Sequence, residues 1–219
     1  MGLLVEKIKN QSPENVIKKL DNINSFLTKK VRSQIKSKID SKDLITELVT
    51  EEVDLKVHNK KHEHLGKESE NLIEIVNQSR HISILSTSLR LISKDTKLKS
   101  SKIIICHPTQ SYGKDECDLK SNKFTLEAFG GIDYSNNQKL GKDLWSLCKS
   151  GNEKKKFLAF YTDINLPSKF KDALKFYVLN QKSIKKFKIT YETKKMEVEI
   201  VDLKKSGNVT LLEIKIKHV

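Results

Sequence analysis

Residues 115–163 constrain the fold more than any other part of the chain. Asp118 precedes an apolar run over 124–129 that contains a second acid, Glu127. Gly130-Gly131 breaks that run, and Ser135-Asn136-Asn137 offers helix-capping side chains. Leu140, Leu144, Trp145 and Leu147 then form an apolar helix face, with Lys139 and Lys142 near its start. Residues 157–161 read as a further apolar strand. A hairpin or bent strand between Asp118 and Glu127 returns the second carboxylate to the first.

Two carboxylates so placed suit one kind of chemistry. Mg2+ takes hard oxygen ligands and keeps several of its waters. It stabilises developing charge and makes an attacking water more acidic. A nearby lysine can clamp a phosphate or help place the nucleophile. Phosphodiester hydrolysis uses all three. Lysines at a helix start oppose the helix dipole, and a phosphate bound there compensates.

Composition points the same way. The chain has 219 residues, 37% of them hydrophobic, enough for one large domain or two small ones. Its formal net charge is +14, from 42 Lys and Arg against 28 Asp and Glu. That excess favours a polyanionic partner, nucleic acid before an anionic membrane. Arginine occurs only at Arg32, Arg80 and Arg90, so bidentate guanine readout is scarce. Cys106, Cys117 and Cys148 form no CxxC pair, which argues against a disulfide framework or a cysteine zinc site. A reducing, cytoplasmic setting follows. The first residues lack the apolar core of a signal peptide, and no run approaches a membrane span of ~20 apolar residues.

Elsewhere, Ser12-Pro13-Glu14 opens a helix with Val16, Ile17, Leu20, Ile23, Phe26 and Leu27 at helical spacing. Further helical stretches follow through Val31, Ile35 and Ile39, then from Asp40-Ser41. Residues 58–64, rich in histidine, read as a surface linker. Residues 66–78 read as a helix carrying Glu68, Glu70 and Glu74, with Glu70 and Glu74 four apart on one face as a source of a third acid. The run 82–92 has a mixed period that fits helix or strand. Residues 102–106 read as a buried strand, 166–178 as a helix, and 184–191, 196–203 and 209–216 as strands with a hairpin turn at 205–208. The expected organisation is an N-terminal helical region, 1–64, and an α/β core with C-terminal strands, 65–219.

From residue 68 to residue 163 the order is helix with Glu, apolar strands, Asp118, strand with Glu127, helix with lysines, strand. This resembles the PD-(D/E)XK nuclease superfamily, and within it the type II restriction endonucleases. The resemblance implies an α/β (α+β) fold, a mixed β-sheet flanked by helices with an N-terminal helical extension. It implies a Mg2+-dependent endonuclease acting on double-stranded DNA as a homodimer. Asp118 and Glu127 would bind Mg2+, and Glu70 or Glu74 would match the extra acid some members carry. The family places a lysine at the second position after the second acid, where this chain has Phe129. Either Lys139 or Lys142 replaces it, or the core is degenerate and the protein binds nucleic acid without cutting it. Asp202, Glu213 and Lys215 satisfy the literal motif as a second candidate, but no helix or strand follows them.

Overall fold

The computed structural model describes residues 4–38, 44–57, 60–61, 63–109, 117–129, 147, 155–161, 186–192, 195–201 and 207–214. In chain order the first elements are β1 (Ile8–Gln11), α1 (Pro13–Lys38), α2 (Leu44–Thr50), β2 (Glu52–Asp54), β3 (Lys56–Val57), β4 (Lys60–Lys61) and β5 (Ser69–Asn71). Then come α3 (Leu72–Ile92), α4 (Thr96–Lys99), β6 (Ile103–Cys106), β7 (Leu119–Ser121), β8 (Phe124–Phe129) and β9 (Lys155–Tyr161). The last described are β10 (Lys186–Glu192), β11 (Lys195–Val201) and β12 (Gly207–Ile214). No helix among them is long and apolar enough to cross a membrane.

The fold is α+β, with a large sheet that is mostly antiparallel. Its order is β1-β6-β7-β8-β9-β12-β11-β10. Among the described strands, only β8–β9 and β9–β12 pair in parallel. Two small antiparallel pairs, β2–β5 and β3–β4, lie apart from it.

Helix α1 starts where its capping residues predict. The Ser12 hydroxyl accepts from the Asn15 amide at 3.3 Å, and Pro13 takes the first helical position, where a missing N–H costs nothing. Val16, Leu20, Ile23 and Leu27 are fully buried along one stripe. No breaker separates Leu27 from Val31, so the two stretches expected there form one helix to Lys38.

Helix α3 resolves the ambiguous run. Its period is mixed because it is buried on more than one side, against α1 and against β8, β9 and β12. The apolar positions Ile75, Ile82, Leu85 and Leu89 are buried, but so are Ser86 and Ser88. The serines bond rather than bury idle hydroxyls. Ser86 Oγ donates to Asp21 Oδ1 at 2.5 Å and Ser79 Oγ to Asn24 Oδ1 at 2.6 Å, both on α1, and Arg90 pairs with Asp21. The helix begins at Leu72, capped by Asn71, whose side chain accepts from the Glu74 amide at 2.8 Å. It was expected from residue 66. Glu70 therefore lies in β5, and Glu70 and Glu74 do not share a helix face.

Residues from 4 to 159 contribute to one apolar cluster, in which the N-terminal Leu4, Val5, Ile8 and the α1 stripe join α3 and the sheet. On β8 and β9 this cluster takes Phe124, Leu126, Ala128, Phe157 and Ala159. The residues between them, Thr125, Glu127, Lys156 and Leu158, are buried on the opposite face.

Helix α4 is tied to β9 through Asp95. Its carboxylate caps the helix at the Lys97 amide, 2.9 Å, and pairs with Lys155 Nζ at 2.9 Å. The Lys155 contact and then the Lys97 amide hold the Asp95 carboxyl below its ordinary value of 3.8. A depressed folded value adds stability above the unfolded value, and that stability is lost as pH falls through the folded one. Asp95→Asn is expected to lower the urea midpoint at pH 6. The difference from the parent should shrink as pH falls through the lowered Asp95 value, where the parent side chain becomes neutral as well.

Candidate functional site

The two central acids meet. β7 and β8 form a tight hairpin whose turn is Asn122-Lys123, with Leu119 opposite Leu126 and Lys120 opposite Thr125. Ser121 Oγ accepts from the Lys123 and Phe124 amides, at 3.0 and 2.8 Å, and so stabilises the reversal. One step beyond the paired residues, this register sets Asp118 beside Glu127.

The contact is direct. Asp118 Oδ2 accepts from the Ala128 amide at 2.8 Å, replacing the next acceptor of the strand ladder. The Asp118 amide donates to Glu127 Oε2 at 3.3 Å. Its carbonyl accepts from the His107 amide at 2.7 Å, which ties it to the end of β6. The Glu127 residue is only 4% exposed and the Asp118 side chain 15%. Asp118 thus lies at the rim of the site and Glu127 at its floor.

Helix α3 brings His81 to the same place, with Nε2 at 3.6 Å from Asp118 Oδ1. Cys106 is buried beside them. Burial, and then the Asp118 charge, push its thiol far above the ordinary value. A thiol so disfavoured as thiolate is inert, so Cys106 is a packing residue rather than a nucleophile. Cys106 and Cys117 are both buried, and Cys148 lies outside the described residues.

The other expected acids are engaged elsewhere. Glu70 pairs with Lys67 and accepts from the Asn71 amide at 3.1 Å. Glu74 accepts from the Gln78 side chain. Lys139, Lys142, Asp202 and Lys215 lie outside the described residues, while Glu213 is in β12, in register with Phe160 of β9.

No group of three or more His, Cys, Asp or Glu side chains among the described residues is arranged to hold a metal ion. The Asp118–Glu127 pair fits a different coordination. Mg2+ is held by one or two carboxylates and keeps its remaining ligands as water. A closed cage of the kind that suits zinc or calcium is not needed.

Two residues escaped the sequence reading. His81 falls between Gln78 and Ile82 on the buried stripe of α3, and a polar ring at such a position was its signal. Lys156 sits inside a strand flanked on both sides by parallel partners, where an unbroken apolar run is the rule. It is 2% exposed.

No protein family, no curated protein and no solved structure matches this chain.

Proposed function

We propose that this protein is a Mg2+-dependent endodeoxyribonuclease with a restriction-endonuclease-like core. The observation that carries this is the abutting Asp118–Glu127 pair at the open end of the β7–β8 hairpin. The strand order supports it. Strands β6, β7 and β8 form an antiparallel meander after α3, and β9 adds in parallel beside β8. That is the order of parts expected of a PD-(D/E)XK core. The +14 charge favours a nucleic-acid substrate. Homodimerisation and a cytoplasmic setting belong to the same proposal and rest on the resemblance and on the cysteines.

The reaction is in-line hydrolysis. A water oxygen forms a bond to phosphorus and gives up a proton to solvent, the bond from phosphorus to the leaving sugar oxygen breaks, and that oxygen takes a proton from solvent. A divalent ion at the two carboxylates would supply charge stabilisation and a more acidic water. The chain holds the carboxylates in place through the Ala128 and Asp118 amides. The burial of Glu127 limits competing water and strengthens electrostatic interactions at the site.

A second reading has its own support. Phe129 stands where the family has lysine, which suits a degenerate core that binds nucleic acid without turnover. Incubation of mixed double-stranded DNA with Mg2+ or with EDTA separates the two. Fragments that require Mg2+ are expected. Intact DNA with a salt-sensitive gel shift would favour the binding protein.

A further inference from the structure

Lys156 is a buried amine on the strand beside the one that carries Glu127. Its Nζ is sealed from water and has no hydrogen-bond partner among the described residues. An ammonium taken out of water without an anion is one of the costlier arrangements a fold retains. Its place in the sheet suggests what it serves. Lys156 is in register with Thr125, and Leu158 with Glu127. Leu126 and Phe157 between them face the main core. Lys156 and Glu127 therefore share the opposite face as diagonal neighbours on adjacent strands, roughly 7–8 Å apart at the backbone. A lysine side chain is long enough to close that gap.

We propose that Lys156 supplies the cation of the Asp118–Glu127 centre, turning its ammonium onto a non-bridging oxygen of the scissile phosphate. This rests on the nuclease reading and gives the role left open at Phe129 to a neighbouring strand. A fixed positive charge in a water-poor site stabilises charge that develops on the phosphate oxygens. It transfers no proton, so the balance of the hydrolysis is unchanged. The two parallel ladders of β9 hold the Lys156 backbone in place. Without substrate the amine has no hydrogen-bond partner among the described residues, and that arrangement costs stability.

The test is Lys156→Met, which keeps length and removes charge. Three quantities are compared with the parent: thermal midpoint, affinity for double-stranded DNA in Ca2+, and single-turnover cleavage in Mg2+. A higher midpoint, an affinity lower by no more than about 10-fold, as for the loss of one phosphate contact among many, and a cleavage rate lower by about 10²–10³-fold are expected. Lys156→Arg should recover part of the rate. A lower midpoint, or failure to fold, would show that the amine has a structural partner and would overturn the proposal. So would cleavage at the parental rate. If the parent protein itself cuts no DNA, the nuclease reading fails and the proposal fails with it. Cleavage by the parent with no effect of the substitution removes the Lys156 assignment alone.

Discussion

Asp118→Asn and Glu127→Gln are each expected to lower Mg2+-dependent cleavage by about 10³-fold or more, roughly 4 kcal/mol of transition-state stabilisation. Each keeps the shape of the side chain and removes the anionic oxygens that attract a hard cation. The fold should survive both changes. An amide oxygen at position 118 still accepts from the Ala128 amide, and one at position 127 still accepts from the Asp118 amide. Unfolding midpoints should therefore hold while turnover collapses. DNA affinity in Ca2+ should change little, because phosphate contacts by lysines dominate it. The two substitutions together should cost little more than either alone, since residues that act as a unit are not additive. Full activity in both single variants would move the site away from Asp118 and Glu127.

Phe124→Ala is expected to destabilise the protein by about 3–5 kcal/mol. Phe124 has no exposed surface, and its ring meets Phe157 edge-on at 5.9 Å and 83° between planes. It stands on β8, the strand that carries Glu127, and it locks that strand to β9. Total stabilities of about 5–15 kcal/mol make such a loss a large fraction of the whole. Urea denaturation reads it directly, with Lys120→Ala as the comparison. Lys120 is exposed on the adjacent strand, and its removal should stay within about 0.5 kcal/mol. A cost below 1 kcal/mol at Phe124 would mean that the two strands are not packed as described.

The parts of the fold that were legible in sequence are those where one local signal dominates. Helix α1 has its cap and a single apolar stripe, and β6, β8 and β9 are short apolar runs. The three C-terminal strands lie within a few residues of their expected positions. The parts that were not legible depend on partners far along the chain. β1 reads Ile-Lys-Asn-Gln, with Asn10 at a positive φ of 52°, a value asparagine tolerates better than most residues. Its pairing with β6 makes it a strand, and no periodicity announces that. β7 reads Leu-Lys-Ser and is defined by its hairpin to β8. Helix α3 hid its period because its polar positions face Asp21 and Asn24 of α1.

The candidate site divides in the same way. The pairing of Asp118 with Glu127 was legible, because a strand that carries one acid and a reversal that returns to the other are both local features. The third group was not. The helix that was expected to carry Glu70 begins after it, and Glu74 bonds within its own helix. His81 reaches Asp118 instead, from two turns further along α3. Lys156 comes from a strand that became adjacent only when β9 paired in parallel with β8. Both additions depend on how sheet and helix are stacked.

The central claim is that Asp118 and Glu127 together bind a divalent cation. Calorimetric titration of Mg2+ into the parent protein and into the double variant Asp118→Asn/Glu127→Gln tests it without any knowledge of a recognition sequence. Saturable binding by the parent, and its loss in a double variant with an unchanged circular dichroism spectrum, is the predicted result. Equal binding by both proteins, or binding by neither with DNA present, would contradict it.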